Sequence, residues 1–144
     1  MPDSKNVETF RAAHESWNKR DFAGVVRNFA DNVEYTDQAQ NRTMKGKDRF
    51  QEWVESWAKA FPDGRITKPE YFDAGDVVIA RFVVEGTNSG PFGSFKPTGR
   101  RISVPFCDIA HFDQQGKCWM GHCYYDQYTM LTQLGHLQQV KAAA

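Results

Sequence analysis

The chain has 144 residues, and its 18 lysines and arginines balance 18 aspartates and glutamates to a formal net charge of zero. That balance excludes the basic stripe a nucleic-acid binder needs and a polybasic membrane patch, and no apolar run approaches the roughly 20 residues of a membrane helix. Three cysteines, an odd number, make no disulfide framework, and the N-terminus carries no signal-peptide pattern, so the expectation is a cytoplasmic protein with reduced thiols. The length predicts one domain over residues 1–144.

Ser4 is placed to cap a first helix whose apolar positions Val7, Phe10 and Trp17 recur at helical spacing, with Ala13 and His14 on the same side. Asp21 reads as the next N-cap, opening a short helix with Phe22, Val25, Val26 and Phe29 on one face. Residues 33–36 read as a short strand running into a polar loop over 37–42. A third helix starts after Gly46, carries the stripe Phe50, Trp53, Val54, Trp57 and Phe61, and stops at Pro62-Asp63-Gly64. The pattern then turns to sheet. Strands are predicted over 66–72, 77–85 and 102–112, with a Gly/Pro-rich stretch over 86–101. A hairpin loop over 113–116 leads into a return strand over 117–125. Leu131, Leu134, Leu137 and Val140 suggest a short C-terminal helix with Gly135 as its weak point. Helices first and a meander afterwards predict an α+β fold, an antiparallel sheet covered on one face by helices. Eleven Phe, five Tyr and four Trp are enough to line a cavity for a flat organic ligand.

Alternation along 102–112 puts Ile102, Val104, Phe106, Asp108, Ala110 and Phe112 on one apolar face. Asp108 breaks that face. A carboxyl there lines a cavity, meets a hidden partner, or stays protonated because burial disfavours its charge. Hairpin pairing should bring Trp119, Gly121, Cys123 and Tyr125 to the same interior face, with His122 and Tyr124 outside. Cys123 reads as a small buried hydrophobe, with no base in view to make it a nucleophile. Asp37 closes the first strand at the mouth of the sheet. Two carboxyls in unlike settings are how a site separates a base from an acid. Trp17, Trp53, Trp57, Phe106, Trp119, Cys123 and Tyr125 are the candidates to line the pocket. No metal site is expected, because Cys118, His122 and Cys123 lack a zinc spacing. His14 and His136 read as helix-surface or core-edge residues.

Several segments together resemble the SnoaL-like polyketide cyclase (ester cyclase) family. They are Gly86-Thr87, Gly90, Phe92, Pro97-Thr98-Gly99-Arg100, Gly116-Lys117, Asp126 and Gln133-Leu134-Gly135. The resemblance implies the cone-shaped α+β barrel, a curved antiparallel or mixed sheet with helices packed on its concave face, shared with nuclear transport factor two, ketosteroid isomerase and scytalone dehydratase. It implies acid/base ring closure without metal or cofactor, and a homodimer formed through the outer sheet face. The cyclases' last-strand aspartate falls at Cys123 counted back from Gln133-Leu134-Gly135, or at Tyr124 counted from His122. Against ketosteroid isomerase, Asp37 falls at the general-base position and Asp108 at the protonated oxyanion-hole aspartate. That enzyme's oxyanion tyrosine falls at Ala13, which has no hydroxyl. The resemblance thus implies proton transfer beside a carbonyl of a hydrophobic substrate, with Asp37 taking the proton and Asp108 holding the enolate oxygen. The outcome would be aldol cyclisation or isomerisation. A binding module that keeps the pocket without the chemistry, or a partner-docking structural protein, is the alternative.

Overall fold

The computed structural model describes residues 2–138. Helix α1 (Lys5–Asn18) starts at Ser4, whose hydroxyl accepts from the Val7 N–H at 3.3 Å. This satisfies one of the donors a helix start leaves unpaired. Helix α2 (Phe22–Val26) starts at Asp21, whose Oδ1 accepts from the Gly24 N–H at 2.9 Å. Helix α3 (Lys47–Ala60) follows Gly46, which holds φ at 94°, a conformation glycine adopts without strain. Arg20 ties the helices together. Its guanidinium donates to the carbonyls of Trp17, Pro62 and Gly64 at 3.1, 2.6 and 2.7 Å, linking the end of α1 to the turn after α3.

The strands are β1 (Phe29–Asp37), β2 (Arg42–Lys45), β3 (Arg65–Asp73), β4 (Val77–Thr87), β5 (Arg101–Phe112) and β6 (Cys118–Tyr125). They form one curved, open sheet in the order β2-β1-β6-β5-β4-β3. The fold is α+β, as the element order predicts. One feature differs from the pattern-based reading. The polar segment after Asp37 turns back as β2, which pairs antiparallel with β1. β1 pairs parallel with β6, so the sheet is mixed, one of the two forms expected. Register shifts occur between Phe29 and Glu34, between Thr67 and Glu70, and between His111 and Phe112. Extra residues of this kind bend a strand and increase its twist, which curves the sheet around the helices.

The third shift overturns one expectation. Phe112 pairs with Cys118 and His111 with Met120, so Trp119 is the unpaired residue of a bulge. Parity flips there. Cys118 turns inward, and Trp119 lies on the outer face, 44% exposed. It is not a pocket residue. Gly121, Cys123 and Tyr125 keep the predicted inner parity.

Helix α4 (Gln127–Leu134) starts at Asp126, which accepts from the Tyr128 N–H at 3.0 Å and the Thr129 hydroxyl at 2.6 Å. It ends at Gly135, where φ is 88°. Leu137 therefore lies beyond the helix, and Val140 lies outside the described residues. Gln133 exchanges hydrogen bonds with the backbone N–H and carbonyl of Ser103, standing in for a strand partner where β5 runs past β6. The Gly/Pro-rich loop after β4 is organised by Asn88. Its amide donates to the carbonyls of Ala60 and Gly90 and accepts from the Thr98 N–H, which explains why a polar residue can be fully buried. Among the described residues no helix is long and apolar enough to cross a membrane.

Candidate active site

Helices α1, α2 and α3 and the inner sheet face enclose a cavity of about 80 Å³. Its walls come from several elements. α1 supplies Phe10, Ala13, His14 and Trp17, and α3 supplies Phe50, Trp53, Val54 and Trp57. The strands supply Tyr35, Phe82, Phe106, Asp108 and Cys123. The wall is aromatic because the helix stripes and the inward strand positions converge there. Tyr35 stacks on Phe50 at 4.4 Å, and Trp57 meets Phe106 edge-on at 5.6 Å. Among the described residues Ile66 is the one lining residue that is not buried.

Asp108 is the polar centre of this cavity. It sits in the middle of β5, paired with Ala80 on one side and Cys123 on the other, and is 6% exposed. Of the options open at the sequence level, a hidden partner is present. His14 Nε2 lies 3.4 Å from Asp108 Oδ2. The other oxygen, Oδ1, is buried without a hydrogen-bond partner among the described residues. His14 is held in turn by Tyr71 of β3, whose hydroxyl lies 2.9 Å from Nδ1. The rings of Phe10 and Phe82 lie 4.6 and 4.8 Å from its imidazole. Burial pushes the Tyr71 phenol well above its ordinary range, so it keeps its proton and is able to donate to Nδ1. When the Tyr71 hydroxyl donates in this way, the ring N–H that His14 turns toward Asp108 is the one at Nε2. His14 is thus buried, not a core-edge residue. The signal was present in its place on the stripe with Phe10 and Trp17.

Tyr35 was not singled out from sequence. It lies at 3% exposure on the inward parity of β1, between Val33 and Asp37. Its ring crosses the sheet over its partner Gly121. Burial, then the nearby charge of Asp108, pushes its phenol well above the ordinary value. The same two causes raise the Cys123 thiol. A thiol held protonated is no nucleophile. Of the two positions for the cyclases' aspartate, Cys123 faces the cavity and Tyr124 faces outward.

Asp37 is not at a mouth. It is 0% exposed and stands behind the cavity wall rather than in it. Oδ2 accepts from Trp53 Nε1 at 3.2 Å and from the Tyr125 hydroxyl at 3.1 Å, and Oδ1 accepts from the Gln40 N–H at 3.0 Å. Burial raises its carboxyl, and these hydrogen bonds oppose the shift. Tyr125 likewise backs the wall, stacking on Phe106 at 4.4 Å. Of the predicted pocket residues, Trp17, Trp53, Trp57, Phe106, Cys123 and Asp108 line one cavity. Asp37 and Tyr125 support it, and Trp119 is outside.

A profile of the SnoaL-like polyketide cyclases matches residues 7–134. The chain belongs to this family. Solved structures agree on the fold. AclR, a candidate hydroxylase from Streptomyces galilaeus, superposes with a TM-score of 0.81 at 23% identity, over 95% of this chain and 85% of that one. A candidate SnoaL-like polyketide cyclase from Jannaschia sp. CCS1 gives 0.82 at 18% identity, over 95% and 99%. A candidate polyketide cyclase from Pseudomonas putida KT2440 gives 0.81 at 20% identity, over 92% and 99%. No curated protein matches the sequence. These neighbours share the cone-shaped fold of nuclear transport factor two.

Proposed function

We propose that this SnoaL-like protein is an enzyme that moves a proton at a carbon beside a carbonyl group of a hydrophobic substrate. The supporting observation is Asp108, which turns a carboxylate oxygen with no hydrogen-bond partner among the described residues toward an aromatic cavity while His14 backs its other oxygen. Oδ1 takes the proton from carbon. The electron pair moves onto the carbonyl oxygen as an enolate, and the Tyr35 phenol donates to that oxygen in place of the hydroxyl that Ala13 lacks. The proton then returns to another carbon, giving isomerisation. Alternatively the enolate carbon attacks a second carbonyl of the same molecule, whose oxygen takes the proton, giving aldol closure. His14 and Tyr71 form a line from Asp108 to the half-buried edge of β3 and hold the carboxyl in place. This reading gives the base role to Asp108 instead of Asp37, because Asp37's oxygens are already occupied and lie behind Trp53.

Exchange of hydrogen for deuterium beside the carbonyl of cyclohexanone in D₂O tests it. The protein should accelerate exchange, and Asp108→Asn should slow it by roughly 100-fold or more, the usual contribution of a positioned acid/base group. Absence of any acceleration sinks the reading. The small cavity volume favours a second reading, a non-catalytic binder, in which ligands bind and exchange stays at the background rate.

A further inference from the structure

We propose that the cavity takes an uncharged ligand of about one ring that carries a hydroxyl, such as a phenol or the enol of a cyclic ketone, held by donation to Asp108 Oδ1. This rests on the site described above and narrows its substrate class. Size comes first. An apolar cavity of roughly 150 Å³ holds one benzene, and this one measures about 80 Å³. At about half that volume the cavity sets one ring as its upper limit, reached only if side chains give way, and it excludes a fused polycycle. Charge comes second. Among the described residues no lysine or arginine lines the cavity. An anion would be desolvated opposite Asp108 without a counter-charge of its own. A cation finds its place at Oδ2 already taken by His14 Nε2.

Hydrogen bonding decides the rest. Among the described residues no donor stands in hydrogen-bonding geometry to the buried Oδ1, although the Tyr35 phenol and the Cys123 thiol lie beside the carboxyl, and an acceptor left so is costly. An apolar ring leaves it so, and a hydroxyl on the same ring supplies the missing donor. Trp57, Phe82 and Phe106 line the same cavity as Asp108, and aromatic walls suit an aromatic or enolic ring.

NMR shift titration of the tryptophan indole N–H signals tests this with phenol, toluene, benzoate, benzylammonium and 1-naphthol. Phenol should bind about tenfold more tightly than toluene, a difference of about 1.4 kcal/mol, and more tightly than either ion. Asp108→Leu should abolish or reverse the preference for phenol over toluene. Asp108→Asn keeps an oxygen acceptor and should retain part of it, which serves if the leucine variant does not fold. Toluene equal to phenol overturns the proposal. So does tighter binding of benzoate or benzylammonium, of 1-naphthol in place of phenol, or of none of the five. Loss of cyclohexanone exchange with the phenol preference intact ends the enzyme reading alone. Exchange without that preference ends this proposal alone.

Discussion

The carboxylate of Asp37 receives three donors, from Gln40, Trp53 and Tyr125, while that of Asp108 leaves one oxygen bare. Both residues are buried, so burial alone does not say which one does chemistry. A carboxylate saturated by its own protein holds its neighbours in place. One with an open lone pair is available to a ligand. Asp37→Asn should therefore act mainly on stability. A single amide oxygen cannot serve both the Gln40 side and the Trp53–Tyr125 side, so one buried N–H loses its acceptor at a cost of about 1–3 kcal/mol. Relief of a buried charge pulls the value toward the lower end. Urea denaturation at pH 7 should show the midpoint falling. The pH dependence has a definite sign. Burial raises the folded-state value of Asp37 above the ordinary 3.8. Its contribution to stability is therefore fully present below 3.8 and is lost as pH rises through the raised value. Asp37→Asn should remove that portion of the decline, and an unchanged pH profile in the variant would contradict the assignment.

At the scale of elements, the site depends on how β1 and β6 meet. The Tyr35 ring lies over Gly121 because nothing projects from that position. A Cβ there would stand 2.5 and 2.6 Å from two carbons of the ring. The ring cannot yield freely, since Phe50 and Trp53 pack against it at 4.4 and 5.3 Å. Gly121→Ala should cost about 1–3 kcal/mol and displace the phenol from Asp108. Paired with Tyr35→Ala, its cost should fall well below the single-variant value, as neighbouring sites couple; simple additivity in denaturation would refute the contact.

Much of this arrangement was legible in the sequence because it follows local periodicity. Ser4 and Asp21 signalled helix starts, the stripe from Phe50 to Phe61 gave α3, and the alternation from Ile102 to Phe112 exposed Asp108. What stayed hidden was non-local. The bulge that turns Trp119 outward breaks a period of two and leaves no mark in composition. The β1–β6 pairing joins residues about 85 apart, and Tyr71 reaches His14 from 57 positions away. His14 itself was visible as a polar residue on an apolar stripe. Only its partners were not.

At the scale of the molecule, the helices cover one face of the sheet and leave the other bare. Phe72, Ile79, Ile109 and His122 stand in register across β3, β4, β5 and β6. Trp119 and Tyr124 flank them, and Phe72, Trp119 and Tyr124 are each more than two-fifths exposed. The His111 ring lies 5.8 Å from Trp119 and 5.9 Å from His122, so the face is a packed aromatic surface, not scattered side chains. An apolar patch of this breadth marks an association surface, and a second copy of the same face satisfies it by two-fold symmetry. A homodimer is the expected state. Light scattering at micromolar concentration should give about twice the chain mass. Ile109 points away from the cavity and makes no part of it, so Ile109→Glu should leave the fold and the phenol-binding site intact. It should also place two like charges near the symmetry axis and drive the protein to monomer. A wild type that scatters as a monomer, or an Ile109→Glu variant that remains dimeric, would show that this face is not where the chains meet.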